Sequence, residues 1–374
     1  MVSPIQNNFN SLESVNLQFP AIRGIQAGKE YYVTLFPLKL IPKIFIFDES
    51  EIPPKMRAQR VLNHARIPQI ANYIISNPKD YIFSSLTASI DGRVEFTPFG
   101  EKGNFSKIGT ISIPLTARFI INDGQHRRAA IEEALKSCPE LGNESISVVL
   151  FLDSGLKRSQ QMFADLNKHA VQPTRSLGIL YDSRDPLAKL AIELADTVPI
   201  FKGLTDFEKS TISNRSIKLF TLSSIYQATQ SLLKKTKNSL NISPEERQTA
   251  FDYWDEVAKN IPEWCLIIDR KVTSSELRKD YVHVHGVILH ALGMAGKTLL
   301  EKSPDTWKQE LIKLRSVDWS RSNASLWEGR SMIGGRISKA QMNLVLTSNA
   351  IKNILGLPLS VEEQQAEDAF QKGM

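Results

Sequence analysis

Ile120-Ile121-Asn122-Asp123-Gly124-Gln125-His126-Arg127-Arg128-Ala129-Ala130 is the stretch that decides how this chain is read. The apolar, β-prone run 117–121 meets Asp-Gly and then an alanine-rich amphipathic segment that ends near Leu135. Asp-Gly at that junction suits a sharp strand-to-helix turn, with Asp123 expected to cap the first open backbone N–H groups. Those N–H groups carry partial positive charge, and His126, Arg127 and Arg128 add donors on the same turn. The combination suits a phosphate or another anion. A plain capped helix start with an Arg128–Glu132 surface pair gives a similar local pattern. The density of Asp, Gln, His and Arg at a sheet edge favours a site.

Outward from that junction, strands and helices alternate. Apolar β-prone runs occur at 31–36, 44–47, 81–90, 94–96, 108–113, 117–121 and 147–152. Asp91-Gly92 reads as a hairpin turn joining 81–90 to 94–96. Helical spacing covers 56–64, 68–75 and 156–167. Beyond Asp185-Pro186 strand signals nearly vanish, and helical spacing recurs at 187–194, 222–233, 246–258, 277–294 and 307–314. The expected architecture is α+β: a flexible arm at 1–16, a mixed-sheet domain at 17–185 and a mostly α-helical domain at 186–374.

Composition bounds the function classes. The 374 residues are 42% hydrophobic and 23% charged, ordinary for a globular chain with sizeable cores. A formal charge of +6 favours polyanionic partners. Two cysteines, Cys138 and Cys265, are too few for a disulfide framework and lack metal-ligand spacing, so a reducing cytoplasm is expected. No apolar stretch approaches about 18 residues, and no membrane partner is expected. Residues 1–13 lack a signal-peptide core.

The Asp-Gly-Gln-His-Arg-x-x-Ala run resembles the signature of DGQHR-domain proteins, and more distantly the Gly-Glu-Arg-Arg-type box of ParB/sulfiredoxin-like domains. Arg66-Ile67-Pro68-Gln69-Ile70 with Tyr73-Ile74 resembles the helix that precedes the box in that superfamily. Phe163-Ala164-Asp165-Leu166-Asn167, followed by Pro173-Thr174, resembles the element after it. With its helical second half, the chain is similar over most of its length to the DndB family of DNA phosphorothioation systems. That resemblance implies a ParB-like mixed-sheet fold and a cytoplasmic bacterial protein. It also implies a repressor that binds double-stranded DNA upstream of the sulfur-modification genes, beside other phosphorothioation proteins.

For the box itself, the resemblance implies phosphate or nucleotide contacts from Gly124, Gln125, His126, Arg127, Arg128 and Asn167. Asp123 or Asn167 would orient the phosphates or hold a metal, with ATP or another nucleotide and Mg2+ as the cofactor in view. Gln125-His126 stands where Glu-Arg is typical of the ParB box, which removes one acidic group. The chain has no Gly-x-x-x-x-Gly-Lys-Ser/Thr loop, so any nucleotide use falls to this box. The rival function is enzymatic: a nucleotide hydrolase or DNA-nicking activity with Asp123, His126 and Arg127 as catalytic residues. A non-catalytic scaffold is a third reading. A homo-oligomer on palindromic DNA is the expected assembly.

Two stretches are candidates for DNA contact. Lys209, Arg215, Lys218, Lys234, Lys235 and Lys237 lie among dense Ser and Thr, with no acidic residue between Glu208 and Pro244. Arg321, Arg330, Arg336 and Lys339 have Trp319 and Trp327 interleaved; tryptophans at such spacing are more often core than stacking platforms. His283, His285 and His290 do not suit a shared metal on the helix expected there, because His283 and His285 would point about 200° apart. No metal site is expected from them. Asp153 and Asp165 read as caps before they read as an acid–base pair.

Overall fold

Asn16–Gln26 (β1) and Lys29–Pro37 (β2) form an antiparallel hairpin whose two-residue loop, Ala27-Gly28, has positive φ at both positions. That backbone twist matches the twist of the flanking strands. The hairpin lies inside a seven-stranded mixed sheet with Leu86–Asp91 (β3), Glu95–Pro98 (β4), Ile108–Pro114 (β5), Arg118–Asp123 (β6) and Ser145–Leu152 (β7). The strand order is β4-β5-β1-β2-β7-β3-β6, antiparallel throughout except for the parallel β3–β7 pair. The computed structural model describes residues 16–45, 62–152, 161–162, 165–166, 173–236 and 241–373. The arm at 1–16 up to Val15, the helix expected at 56–64 up to Val61, most of 156–167, Asp153, Asn167 and Lys237 lie outside them.

Two expectations for this region are corrected. The Asp91-Gly92 hairpin does not exist: β3 pairs with β6 and β7, whereas β4 pairs with β5 at the opposite end of the strand order. Leu86 to Ile90 are all buried, the pattern of a strand flanked on both sides, and β4 is a mostly exposed edge strand ending in Pro98. Ile41–Ile44 forms a helical turn and not the start of a strand. Its successor Phe45 joins Phe36 and Phe119 in an aromatic cluster, with ring centroids 5.2–6.3 Å apart. Helices Ile67–Ser76 (α1) and Gln125–Ser137 (α2) pack on each other. α2 buries Ala129, Ala130, Ile131 and Ala134.

The chain divides into two compact units, Met1–Val171 and Gln172–Met374, a division that falls earlier in sequence than residue 185. The second unit is helical: Arg175–Tyr181 (α3), Pro186–Thr197 (α4), Leu222–Leu232 (α5), Pro244–Lys259 (α6), Pro262–Ile268 (α7), Ser274–Asp280 (α8), Gly286–Lys302 (α9), Gln341–Leu355 (α10) and Val361–Lys372 (α11). The starts follow capping chemistry. Asp185 accepts from the amides of Leu187 and Ala188, and Thr221, Ser243, Thr273 and Ser360 each build a capping box. The single helix expected at 277–294 is instead two, α8 and α9, separated by Tyr281–His285 in extended and turn conformations. α5 and α9 touch closely: a methyl group on Gly293 would fall 2.2 Å from the Ala228 carbonyl oxygen. Trp254, Trp264, Trp319 and Trp327 lie in the core around them, the last two stacked at 5.2 Å.

Candidate functional site

At the junction between β6 and α2 the residue that caps the helix is Gly124, not Asp123. Gly124 has φ +106, and no side chain bonds the first-turn amides. A methyl group there would lie 2.4 Å from Leu86 Cδ2, so both the backbone conformation and the space require glycine. The left-handed turn takes the Asp123 carboxylate away from the amides. It meets Arg127 instead, with Nη2 donating to Oδ2 at 2.5 Å.

The two arginines also donate to main-chain carbonyls of the same unit. Arg127 Nη1 donates to Ser84 O at 2.8 Å and Ser85 O at 3.1 Å, and to the Ser84 hydroxyl. Arg128 donates from Nε to Phe45 O at 2.8 Å and from Nη2 to Pro42 O at 2.9 Å, and pairs with Glu132. His126 Nε2 accepts from the Asn63 amide at 3.0 Å. Gln125 is buried with Nε2 lacking a partner among the described residues, and the buried Asn122 donates from Nδ2 to Ser89 Oγ at 2.6 Å. Chemically, this arrangement fastens the start of α2 to the residues leading into β3 and to the turn at 42–45. Its guanidinium groups do not present open forks to a phosphate.

The residues expected to meet DNA are placed unequally. Lys209 and Arg215 are exposed on the irregular segment between Thr205–Asp206 and Phe220–Thr221. Lys218 Nζ donates to the Gly203 carbonyl at 2.8 Å. Lys234 pairs with Glu301, and Lys235 with Glu246 at 2.6 Å. Arg336 is exposed on a small hairpin, Met332–Ile333 with Arg336–Ile337, turned by Gly334-Gly335. Arg330 is engaged within its own unit: it forks onto the buried Glu367, donates to Leu346 O at 2.9 Å and covers the Phe370 ring. Trp319 and Trp327 are core and offer no face to a base.

His283 and His285 precede α9 and do not lie on it. His283 is fully buried, accepts from Trp264 Nε1 at 2.9 Å through Nδ1, and has Nε2 3.4 Å from Glu263. Among the described residues, no group of three or more His, Cys, Asp or Glu side chains could hold a metal ion.

Two adjoining cavities of the helical unit, about 250 and 400 Å³, share Ser210, Thr221, Ser224, Gly286 and Lys339 in their linings. Arg175, Gln227 and His290 complete the first, and Arg278 and His285 the second. Among the described residues, no carboxylate lines either. The first turns of α5 and α9 meet here, where a methyl group on Gly286 would lie 3.1 Å from Ser224 Cβ. Burial pushes His285 down to about 3, with the charges of Arg278, Arg321 and Lys339 adding to the effect. Burial likewise pushes His290 to about 4, with Arg175 contributing. No local signal joins Arg175, Arg278 and these histidines, because they come from α3, α8, the segment before α9 and α9 itself. The one local signal was the Thr221–Ser224 capping box at the head of α5.

A family model described as DndB, DNA-sulfur modification-associated, matches residues 19–358. No curated protein and no solved structure matches. Since the match runs through both the seven-stranded sheet and the helical unit, the chain belongs to the DndB family of proteins associated with DNA sulfur modification.

Proposed function

We propose that this protein is a DNA-binding regulator, a repressor of the genes for DNA sulfur modification, with a ParB-like sheet unit and a helical unit that meets the DNA backbone. One observation carries the reading. The segment bearing Lys209 and Arg215 and the hairpin bearing Arg336 flank the same carboxylate-free cavity, since Ser210, Thr211 and Ile212 line one wall and Ile337 and Lys339 another. Exposed basic side chains beside hydroxyls are the groups that contact backbone phosphates. The formal charge of +6 supports the same partner, double-stranded DNA. A homodimer on a palindromic operator and contact with other phosphorothioation proteins belong to this proposal.

The enzymatic alternative at Asp123, His126 and Arg127, with a nucleotide and Mg2+, has less support. It requires Arg127 to reach a phosphate that its bonds to Asp123, Ser84 and Ser85 compete with. The deciding experiment is a mobility-shift titration over a salt series, with upstream DNA of the modification genes and with unrelated DNA. Replacing Lys209, Arg215 and Arg336 together by Ala should weaken binding to both DNAs and flatten the salt dependence by about 0.9 per lost phosphate contact. An unchanged salt slope removes this face from the interface.

A further inference from the structure

We infer that the paired cavities at the heads of α5 and α9 form an oxyanion site that takes a phosphoryl group. Three independent observations converge there. The first is a buried cation without an acid. Arg278 is 5% exposed; its Nη1 donates to the carbonyls of Leu219 at 3.0 Å and Val284 at 3.1 Å, and its Nε has no partner. Desolvation holds the Arg278 guanidinium below its ordinary pKa, as expected where no carboxylate compensates the charge. An anion in the cavity supplies the missing counter-charge.

The second is the state of the helix starts. In α5 the early amides are already engaged: Ser223 N donates to Ser176 Oγ, and Ser224 N to Thr221 Oγ1. α9 is different. No side chain caps it, and its first residues, Gly286 and Val287, line the cavity. A seventeen-residue helix with an uncapped start leaves amide donors and positive potential on that wall.

The third is the remaining donor set. Arg175 and Lys339 are exposed and line the cavity from opposite ends of the sequence of this unit. The Gln227 amide oxygen, in the orientation its neighbours require, accepts from the Arg175 guanidinium, and both side chains line the cavity. Ser210 Oγ accepts from the Arg175 amide at 3.1 Å, which leaves its own O–H to donate. Guanidinium, ammonium, hydroxyl and helix-start amides around one space, with no carboxylate in the lining among the described residues, are what a tetrahedral oxyanion requires.

A phosphoryl group can arrive on the DNA backbone or on a small phosphate ester, and one experiment separates the two. The full-length protein and an Arg175→Ala/Lys339→Ala variant are titrated calorimetrically with inorganic phosphate, against sodium chloride at equal ionic strength. Both substitutions are at exposed positions, so the ligand-free melting temperature should stay unchanged. The wild type should bind phosphate, and the variant about tenfold or more weakly. Absence of phosphate binding by the wild type, or equal binding by the variant, overturns the site. A duplex mobility shift is then repeated with phosphate saturating. If phosphate weakens duplex binding beyond the ionic-strength control, the site holds a backbone phosphate. If duplex binding is unaffected, it holds a small free phosphate ester; either result sustains the oxyanion assignment. Failure of DNA binding altogether leaves the phosphate titration intact, so the two readings fail separately.

Discussion

Arg127 reaches back one helical turn to Asp123, Nη2 to Oδ2 at 2.5 Å, and from the same guanidinium holds two carbonyls ahead of β3. The side chain that looks most available for catalysis therefore fastens a strand–helix junction. Arg127→Ala removes these bonds and leaves the part-buried Ser85 carbonyl without its donor, at a cost of about 1–3 kcal/mol in urea unfolding. Phosphate release from ATP, if the wild type shows any, should follow the folded fraction. A variant with full stability and abolished turnover would return the junction to the enzymatic reading.

The Arg330–Glu367 pair gives the second prediction. Its hydrogen bonds from Arg330 hold the Glu367 carboxyl below its usual range. A depressed carboxyl stabilises the fold above its unfolded value, and that stability disappears as pH falls through the folded value. Glu367→Gln should cost about 1–3 kcal/mol near neutral pH, because it leaves a part-buried guanidinium without its counter-charge. It should also flatten the acid limb of a stability–pH profile. Arg330→Met combined with Glu367→Leu should recover much of the loss. Persistence of the full deficit in the double variant would show that the charge pair is not its source.

Histidines supply the third. His290 is held near 4 and His285 near 3, both below the ordinary value of 6.5, so the unfolded chain takes up these protons first. Their stabilisation is complete above about 6.5 and declines as pH drops toward the folded values. Between pH ~7 and ~5 the wild type should lose about 1–2 kcal/mol more than His290→Gln, measured by urea unfolding. Equal losses in both proteins would mean that His290 is not kept neutral by burial.

Much of the secondary structure was legible before any coordinates. The run 108–113 became β5, 117–121 lies largely in β6, and 187–194 and 222–233 became α4 and α5 with their capping residues in place. Side-chain alternation, capping hydroxyls and Pro or Gly punctuation act over a few residues, and a sequence displays them directly. A local signal misleads where it has two partners to choose from. Asp91-Gly92 is a good hairpin turn in isolation, but β3 gains more from burial between β6 and β7 than from pairing with the exposed β4. The spacing from Leu277 to Met294 suits one helix, but Tyr281 bridges to Ser320 and the backbone at 281–285 leaves helical geometry.

Sequence alone determined the two-part layout of strands followed by helices, the glycine at position 124 and the basic balance, because each depends on local propensity or on composition. Only the tertiary structure decided which cations are engaged. Arg127, Arg128 and Arg330 meet carbonyls and carboxylates within their own unit, whereas Arg175, Arg278 and Lys339 line cavities that no carboxylate of the described residues enters. Charge is a property of the residue, but its availability depends on partners brought close by folding from far along the chain.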